Sequence, residues 1–214
     1  MVKHALDAKD KQARRASILA AASRLFLLTP DKLPSAAMIA DAAGLAKGTV
    51  YLYFSTKEAI FMALLQEERA GVLQQIEVAF RPDQRPAAGK IADFLRAYCD
   101  YVLAHPQMLK LDALGYSVLE RNLDATLLVE YKLELLTSLT RVGRLLDTAL
   151  ALPEGQGLRV LVHTYALTCG LWQSLDYPEQ CRDMLRTPGL EALQMDFREE
   201  LQAALSSYWH GLRR

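Results

Sequence analysis

Cysteine is scarce in this chain of 214 residues: there are three, Cys99, Cys169 and Cys181. An odd number with no CxxC spacing argues against a disulfide scaffold or a zinc site, and fits free thiols in a reducing cytoplasm. No run approaches the roughly 18 to 20 uninterrupted apolar residues of a membrane span. The N-terminal stretch MVKHALDAKDKQARR is charged and has no apolar core, so it does not read as a secretory signal. Catalytic signatures are missing as well: there is no GxSxG, HExxH, GxGxxG or P-loop. Cys99 and His163 are a conceivable nucleophile and base, but nothing in their spacing pairs them. Alternating β-type runs, internal repeats and low-complexity segments are all absent. So is net charge, with 25 Lys and Arg against 25 Asp and Glu.

A zero balance taken alone argues against a nucleic-acid binder, but the charges are unevenly placed. Residues 1–57 carry nine basic and four acidic residues, a net charge of +5, and the remaining residues carry −5. A basic head on an acidic body is the electrostatic footprint of a local DNA contact. The alternative is a basic N-terminal tail that is merely solvated.

What the chain does contain is helix. Apolar residues recur with a helical period, and Pro and Gly fall at plausible helix boundaries. About nine helices are expected. The first runs from about Lys11 to Leu28 and stops before Thr29-Pro30. The fourth runs from Thr56 to about Phe80, the fifth from Ala87 to Ala104, and the sixth from Pro106 to about Leu114. A turn over residues 117–122 leads to the seventh, from Asp124 to Leu152, with Leu128, Tyr131, Leu135, Leu139, Val142, Leu146 and Ala149 on one side. The eighth begins after Pro153 and Gly157 and ends near Leu175. A short helix over residues 179–185 precedes the last, from Leu190 to about Gly211, striped with Leu190, Leu193, Phe197, Leu201, Leu205, Tyr208 and Leu212.

The most informative stretch is SAAMIADAAGLAKGTVYLYFSTKE, residues 35–58. Ser35 is a good N-cap for a short helix bearing Ile39 and Ala40. Ala43-Gly44-Leu45 supplies a tight turn whose glycine permits a left-handed backbone. A second short helix, Ala46 to Tyr53, holds Lys47, Gly48, Thr49, Tyr51, Leu52 and Tyr53. Ser55-Thr56-Lys57-Glu58 has the form of a capping box, with Ser55 as N-cap and Glu58 three residues on. Helix, glycine turn and a small helix rich in lysine, hydroxyl and tyrosine is how a helix-turn-helix presents itself to a major groove.

These residues resemble the N-terminal domain of the TetR family of bacterial transcriptional repressors. The likeness is carried by Ile39-Ala40, Ala43-Gly44, Lys47-Gly48-Thr49, Tyr51 to Phe54 and Lys57-Glu58, and extends back to Arg15, Ile18-Leu19, Ala21-Ala22 and Leu25-Phe26. It covers roughly residues 12 to 66. Two departures thin the DNA contacts: Ala46 stands where the family often has Ser or Thr, and Ala36-Ala37 replace residues that are commonly polar or basic.

The resemblance implies an all-α fold, with a three-helix DNA-binding head over residues 1–57 and a helical ligand-binding and dimerisation domain over 58–214. It implies a regulator, in the typical case a repressor, released from a palindromic operator by a small apolar or aromatic molecule. The expected DNA-binding residues are Ser35, Lys47, Gly48, Thr49, Tyr51, Leu52, Tyr53 and Lys57. Lys47 and Lys57 suit phosphates, as do the hydroxyls of Thr49, Tyr51 and Tyr53, while Thr49 can instead touch a thymine methyl. Leu52, where the family often has a polar or aromatic residue, contacts a base or faces solvent. Phe54, Ile39 and Val50 read as core, and Tyr51 as core or DNA contact.

In the body, Tyr98, Tyr101, Met108, Tyr116, Tyr131, His163, Thr168 and Trp172 are polar or aromatic residues among apolar ones. They are candidates for an effector pocket, with ordinary core as the alternative for each. The last two long helices are expected to pair with their copies in a two-fold homodimer. No cofactor, metal site, catalytic residue or membrane contact is expected. A helical protein-interaction adaptor and a small enzyme without a recognisable motif remain the alternatives.

Overall fold

A computed structural model of the chain describes residues 2–29 and 32–212; the side chains of residues 2–8, 116, 117, 179 and 180 lie outside that description. Ten α-helices and no strand occur among the described residues: α1 (Val2–Leu28), α2 (Ala36–Ala43), α3 (Lys47–Tyr53), α4 (Lys57–Ala79), α5 (Ala87–Ala104), α6 (Pro106–Leu114), α7 (Ala125–Leu150), α8 (Gln156–Leu175), α9 (Glu179–Met184) and α10 (Phe197–Gly211). Between α6 and α7 the chain makes a turn of π-helix, Gly115–Leu119, and one of 3₁₀-helix, Glu120–Asn122. The chain divides into two compact units. The first comprises Met1–Arg69 and Lys110–Tyr131, the second Ala70–Leu109 and Lys132–Arg214.

In the first unit α1 starts at Val2, well before the expected Lys11, because VKHALDAKDKQARRA holds no Gly or Pro and is rich in helix formers. Lys9, Lys11 and Arg14 are exposed along it. Pro30, expected to stop the helix, lies outside the described residues. Ile18, Ala21, Ala22 and Phe26 of α1 are fully buried, as are Ile39, Val50, Ile60 and Phe61, so the short helices share one core. Phe26 and Phe61 pack at 5.7 Å. Phe54 is buried, with the Arg15 guanidinium 5.5 Å from its ring. Arg15 also pairs with Glu67 of α4 at 2.5 Å.

In the second unit an aromatic cluster forms the centre. The Trp209 ring of α10 stands 4.7 Å from Phe94 and 5.7 Å from Phe80, and Phe94 stands 5.5 Å from Tyr98. The Trp209 indole N–H donates to Thr164 Oγ1 at 3.0 Å, which satisfies its polar edge inside the core. Two glycines let α7 and α8 touch backbone to backbone. A Cβ at Gly143 would stand 2.7 Å from the Leu158 nitrogen, and one at Gly157 would run into the Gly143 carbonyl. Asp147 then caps α8, accepting from the N–H groups of Gly155 at 2.8 Å and Gly157 at 2.5 Å.

Besides the early start of α1, the boundaries differ from expectation in three further places. Gly157 lies inside α8, where the close crossing requires it, not in the turn before the helix. The last helix begins at Phe197, seven residues later than Leu190. Gly189 has φ of +95°, a 3₁₀ turn covers Glu191–Leu193, and Asp196 caps α10 by accepting from Glu199 N at 3.0 Å. The start of α4 is capped by Thr56, whose Oγ1 accepts from Ala59 N at 3.1 Å; Ser55 is not the cap, so the expected capping box is shifted by one residue. Phe54 is extended (φ −139°, ψ 119°) and buried, and this sets the register in which the chain enters α4.

Candidate nucleic-acid interface

Ser35 is extended and its Oγ accepts from Met38 N at 3.2 Å, so α2 begins where the sequence places it. α2 ends at Gly44, whose φ of +67° is the left-handed turn the corner needs; its N–H returns to Asp41 O at 3.1 Å. α3 follows after two residues. Ala46 is its N-cap position and makes no side-chain cap bond. Val50 is fully buried and Phe54 closes the helix from below. That pins one side of α3 and turns Lys47, Gly48, Tyr51 and Leu52 to solvent, with Thr49 and Tyr53 half-buried.

Three elements converge on a shallow open recess of about 470 Å³: the first turn of α2 at Ser35–Ala37, Lys47 and Tyr51 of α3, and the entry to α4 at Ser55–Glu58. The N-terminal ends of two helices therefore face one depression. Their unpaired N–H groups and the positive ends of their dipoles favour an anion there, and two ammonium groups add full charges. The Lys47 ammonium stands 5.9 Å from the Tyr51 ring centre, which holds the two side chains together. Lys57 pairs loosely with Glu58, at 3.8 Å, and remains half-exposed. The opening suits a phosphate of a nucleic-acid backbone.

Of the eight expected DNA-binding residues, Ser35, Lys47, Tyr51 and Lys57 line this recess. Gly48, Thr49, Leu52 and Tyr53 lie on α3 outside it. Thr56 and Glu58 also line it, although the sequence marks them only as part of a capping box and not as DNA contacts. The sign of Thr56's place was the second hydroxyl of Ser55-Thr56, an equally good cap one residue on.

The expected effector residues are scattered. Tyr98 is buried, its hydroxyl bonded to Thr168 Oγ1 at 2.7 Å, and burial pushes its ionisation above the ordinary tyrosine range. Thr168 in turn donates to Thr164 O at 2.8 Å, and Met108 is fully buried. Tyr101 is half-buried and stacked on His105 at 4.0 Å. Trp172 is half-buried, and His163 is exposed on α8, its Nδ1 2.9 Å from the Tyr208 hydroxyl. These six lie in the second unit. Tyr131 lies in the first, bonded to Arg69, which also pairs with Asp112. The Tyr116 side chain is outside the described residues. Cys99, the conceivable nucleophile, is buried and its thiol is pushed up to about 11 by that burial. Among the described residues no group of three or more His, Cys, Asp or Glu could hold a metal ion, and no helix is long and apolar enough to cross a membrane.

Comparison with known proteins places the chain in a family. Residues 18–64 match the family described as "Bacterial regulatory proteins, tetR family", and residues 66–214 match "Tetracyclin repressor-like, C-terminal domain". No curated protein matches the sequence. Among solved structures, the fold is similar to that of the TetR family transcriptional regulator PfmR from Thermus thermophilus, with a TM-score of 0.59 at 19% identity over 92% of this chain and 99% of that one. It is similar to a tetR-family transcriptional regulator from Streptomyces coelicolor, with a TM-score of 0.55 at 22% identity over 94% and 85%. It is also similar to a protein of unknown function from Rhodococcus sp. RHA1, with a TM-score of 0.58 at 20% identity over 94% and 96%. The two family matches between them run from residue 18 to the end of the chain, and the chain belongs to the TetR family of bacterial transcriptional regulators.

Proposed function

We propose that this regulator is a cytoplasmic, ligand-responsive repressor that binds a palindromic operator as a homodimer, with no catalytic role. Residues 1–57 form the DNA head and residues 58–214 the regulatory and dimerisation domain. The observation that carries the reading is the shallow recess between α2, α3 and α4, which two helix N-termini, Lys47 and Lys57 surround beside an exposed α3. Phosphate contacts from Ser35, Lys47, Tyr51, Tyr53 and Lys57 fix the head on the duplex, and Gly48, Thr49 and Leu52 approach the bases.

The dimer surface in this reading is the free side of α8 together with α10. α8 is apolar on two sides: Val160 and Leu161 are buried, while Val162 is 49% and Leu167 36% exposed. The stripe Leu201, Leu205 and Trp209 of α10 faces the chain's own core, so its members support the interface from beneath and do not cross it. The effector is a small apolar or aromatic molecule held by the regulatory domain, where Tyr101 and Trp172 are the half-buried aromatics. It acts only if it binds the DNA-incompetent state more tightly. A tenfold loss of operator affinity requires about 1.4 kcal/mol of coupling, and the coupling is reciprocal.

The test is a mobility-shift titration with a labelled duplex from the region upstream of the protein's own gene. Binding to that duplex in preference to a scrambled duplex of equal length is expected. Equal, weak binding to both would remove the regulator's operator from that region, and the absence of binding to any duplex from a random library would overturn the DNA-binding reading itself.

A further inference from the structure

The reading helix offers DNA an unusual set of side chains. From Lys47 to Tyr53, α3 contains no Arg, Asn, Gln, Asp or Glu. Lys47 apart, it therefore lacks the groups that make paired hydrogen bonds to guanine or adenine edges, or that accept from cytosine. Its one cation, Lys47, lies beside the Tyr51 ring and lines the recess. What α3 does project is Leu52, 82% exposed, the highest value among the large hydrophobic residues described. Leu52 is one helical turn after Gly48, on the same side. A Cβ built on Gly48 meets nothing in the protein, so the strip these two residues form is bare around one aliphatic side chain.

We propose that Leu52 is a specificity-determining residue that reads the C5-methyl group of a thymine, so that each operator half-site carries a T·A pair facing it. This rests on the DNA-binding reading above. The thymine methyl is the one apolar group on the major-groove base edges, and an aliphatic side chain packed on it removes both from water. Cytosine carries hydrogen at that carbon, and purines carry no group there, so the contact discriminates without a hydrogen bond. The surrounding lysines and hydroxyls tie the head to phosphates, which leaves Leu52 free to act as a probe of base shape.

The experiment starts by enriching binding duplexes from a random-sequence library with the full-length protein. Each thymine of the consensus is then replaced by deoxyuridine, which removes the methyl and leaves base pairing intact. Affinity is read by fluorescence anisotropy at fixed salt, for the wild type and for Leu52→Ala. One symmetry-related thymine pair should lose roughly threefold to fivefold per half-site on replacement, the worth of one apolar carbon removed from water. Leu52→Ala should keep its helical spectrum, bind the thymine duplex more weakly, and show no further loss with deoxyuridine at that pair. Deoxyuridine tolerated at every position, or a methyl effect that persists undiminished in Leu52→Ala, would overturn the inference while leaving the DNA-binding reading standing. Failure to enrich any duplex would overturn both.

Discussion

Gly48→Ala should separate stability from DNA binding. Gly48 is the second residue of α3, its φ is not positive, and a Cβ placed on it meets no atom within 4 Å. The fold therefore gives no reason for glycine, and helix propensity argues against it: Gly costs about 0.5–1 kcal/mol relative to Ala within a helix. Close to the helix end the lower figure applies. For a chain of this size that corresponds to a melting temperature raised by about 1–2 °C. In the DNA-binding reading proposed above, the glycine serves a close approach of nucleic acid to bare backbone. A methyl there holds the reading head off the groove, and operator affinity should fall at least roughly tenfold, or 1.4 kcal/mol. The assay pairs thermal denaturation by circular dichroism with anisotropy titration of an enriched duplex. A variant that melts no lower and binds poorly fits the reasoning. Binding at wild-type strength would refute the close approach, and a lowered melting temperature would show that the glycine serves the fold.

Other substitutions test the rest of the structure. Gly157→Ala should lower stability by about 1–3 kcal/mol, read by urea denaturation, because its Cβ would collide with the Gly143 carbonyl and stand 2.9 Å from Asp147 Oδ1. Thr56→Ala should cost about 1 kcal/mol by the same assay, and Ser55→Ala much less, since Thr56 makes the cap bond. Leu201→Glu should unfold the second unit, because the side chain is fully buried within the chain and an unpaired buried charge costs several kcal/mol. Val162→Glu combined with Leu167→Glu should leave a helical spectrum but sediment as a monomer; a dimer would place the interface elsewhere.

Much of the head was legible in the sequence because its signals are local. Ser35 as N-cap and Gly44 as a left-handed corner follow from chemistry within four residues, and both stand in the structure. The expected start of α4 is one residue early, since Ser55 and Thr56 are equal candidates until buried Phe54 sets the register. The expected last helix is too long because apolar spacing continues through Leu190 and Leu193, although Asp196 with Glu199 three residues later marks its true start. The α10 stripe continues inward at Trp209, not at the expected Tyr208. Both continue the stripe at helical spacing, and only the distant Phe80 and Phe94 decide which turns inward. That Ser35, Lys47, Tyr51 and Lys57 meet in one recess is not legible locally, because it joins residues 35–37, 47, 51 and 55–58 from three helices.

The central claim is that the face bearing Lys47 and Lys57 grips DNA phosphates, and the salt dependence of binding measures this most directly. Affinity for an enriched duplex and for a scrambled one should be measured from about 50 to 200 mM salt, the range over which phosphate contacts tell. Both should fall linearly on logarithmic axes. Lys57→Ala should bind both duplexes more weakly and lessen the slope by about 0.9, the release from one phosphate. An unchanged slope in Lys57→Ala, with its binding to both duplexes intact, would contradict the account.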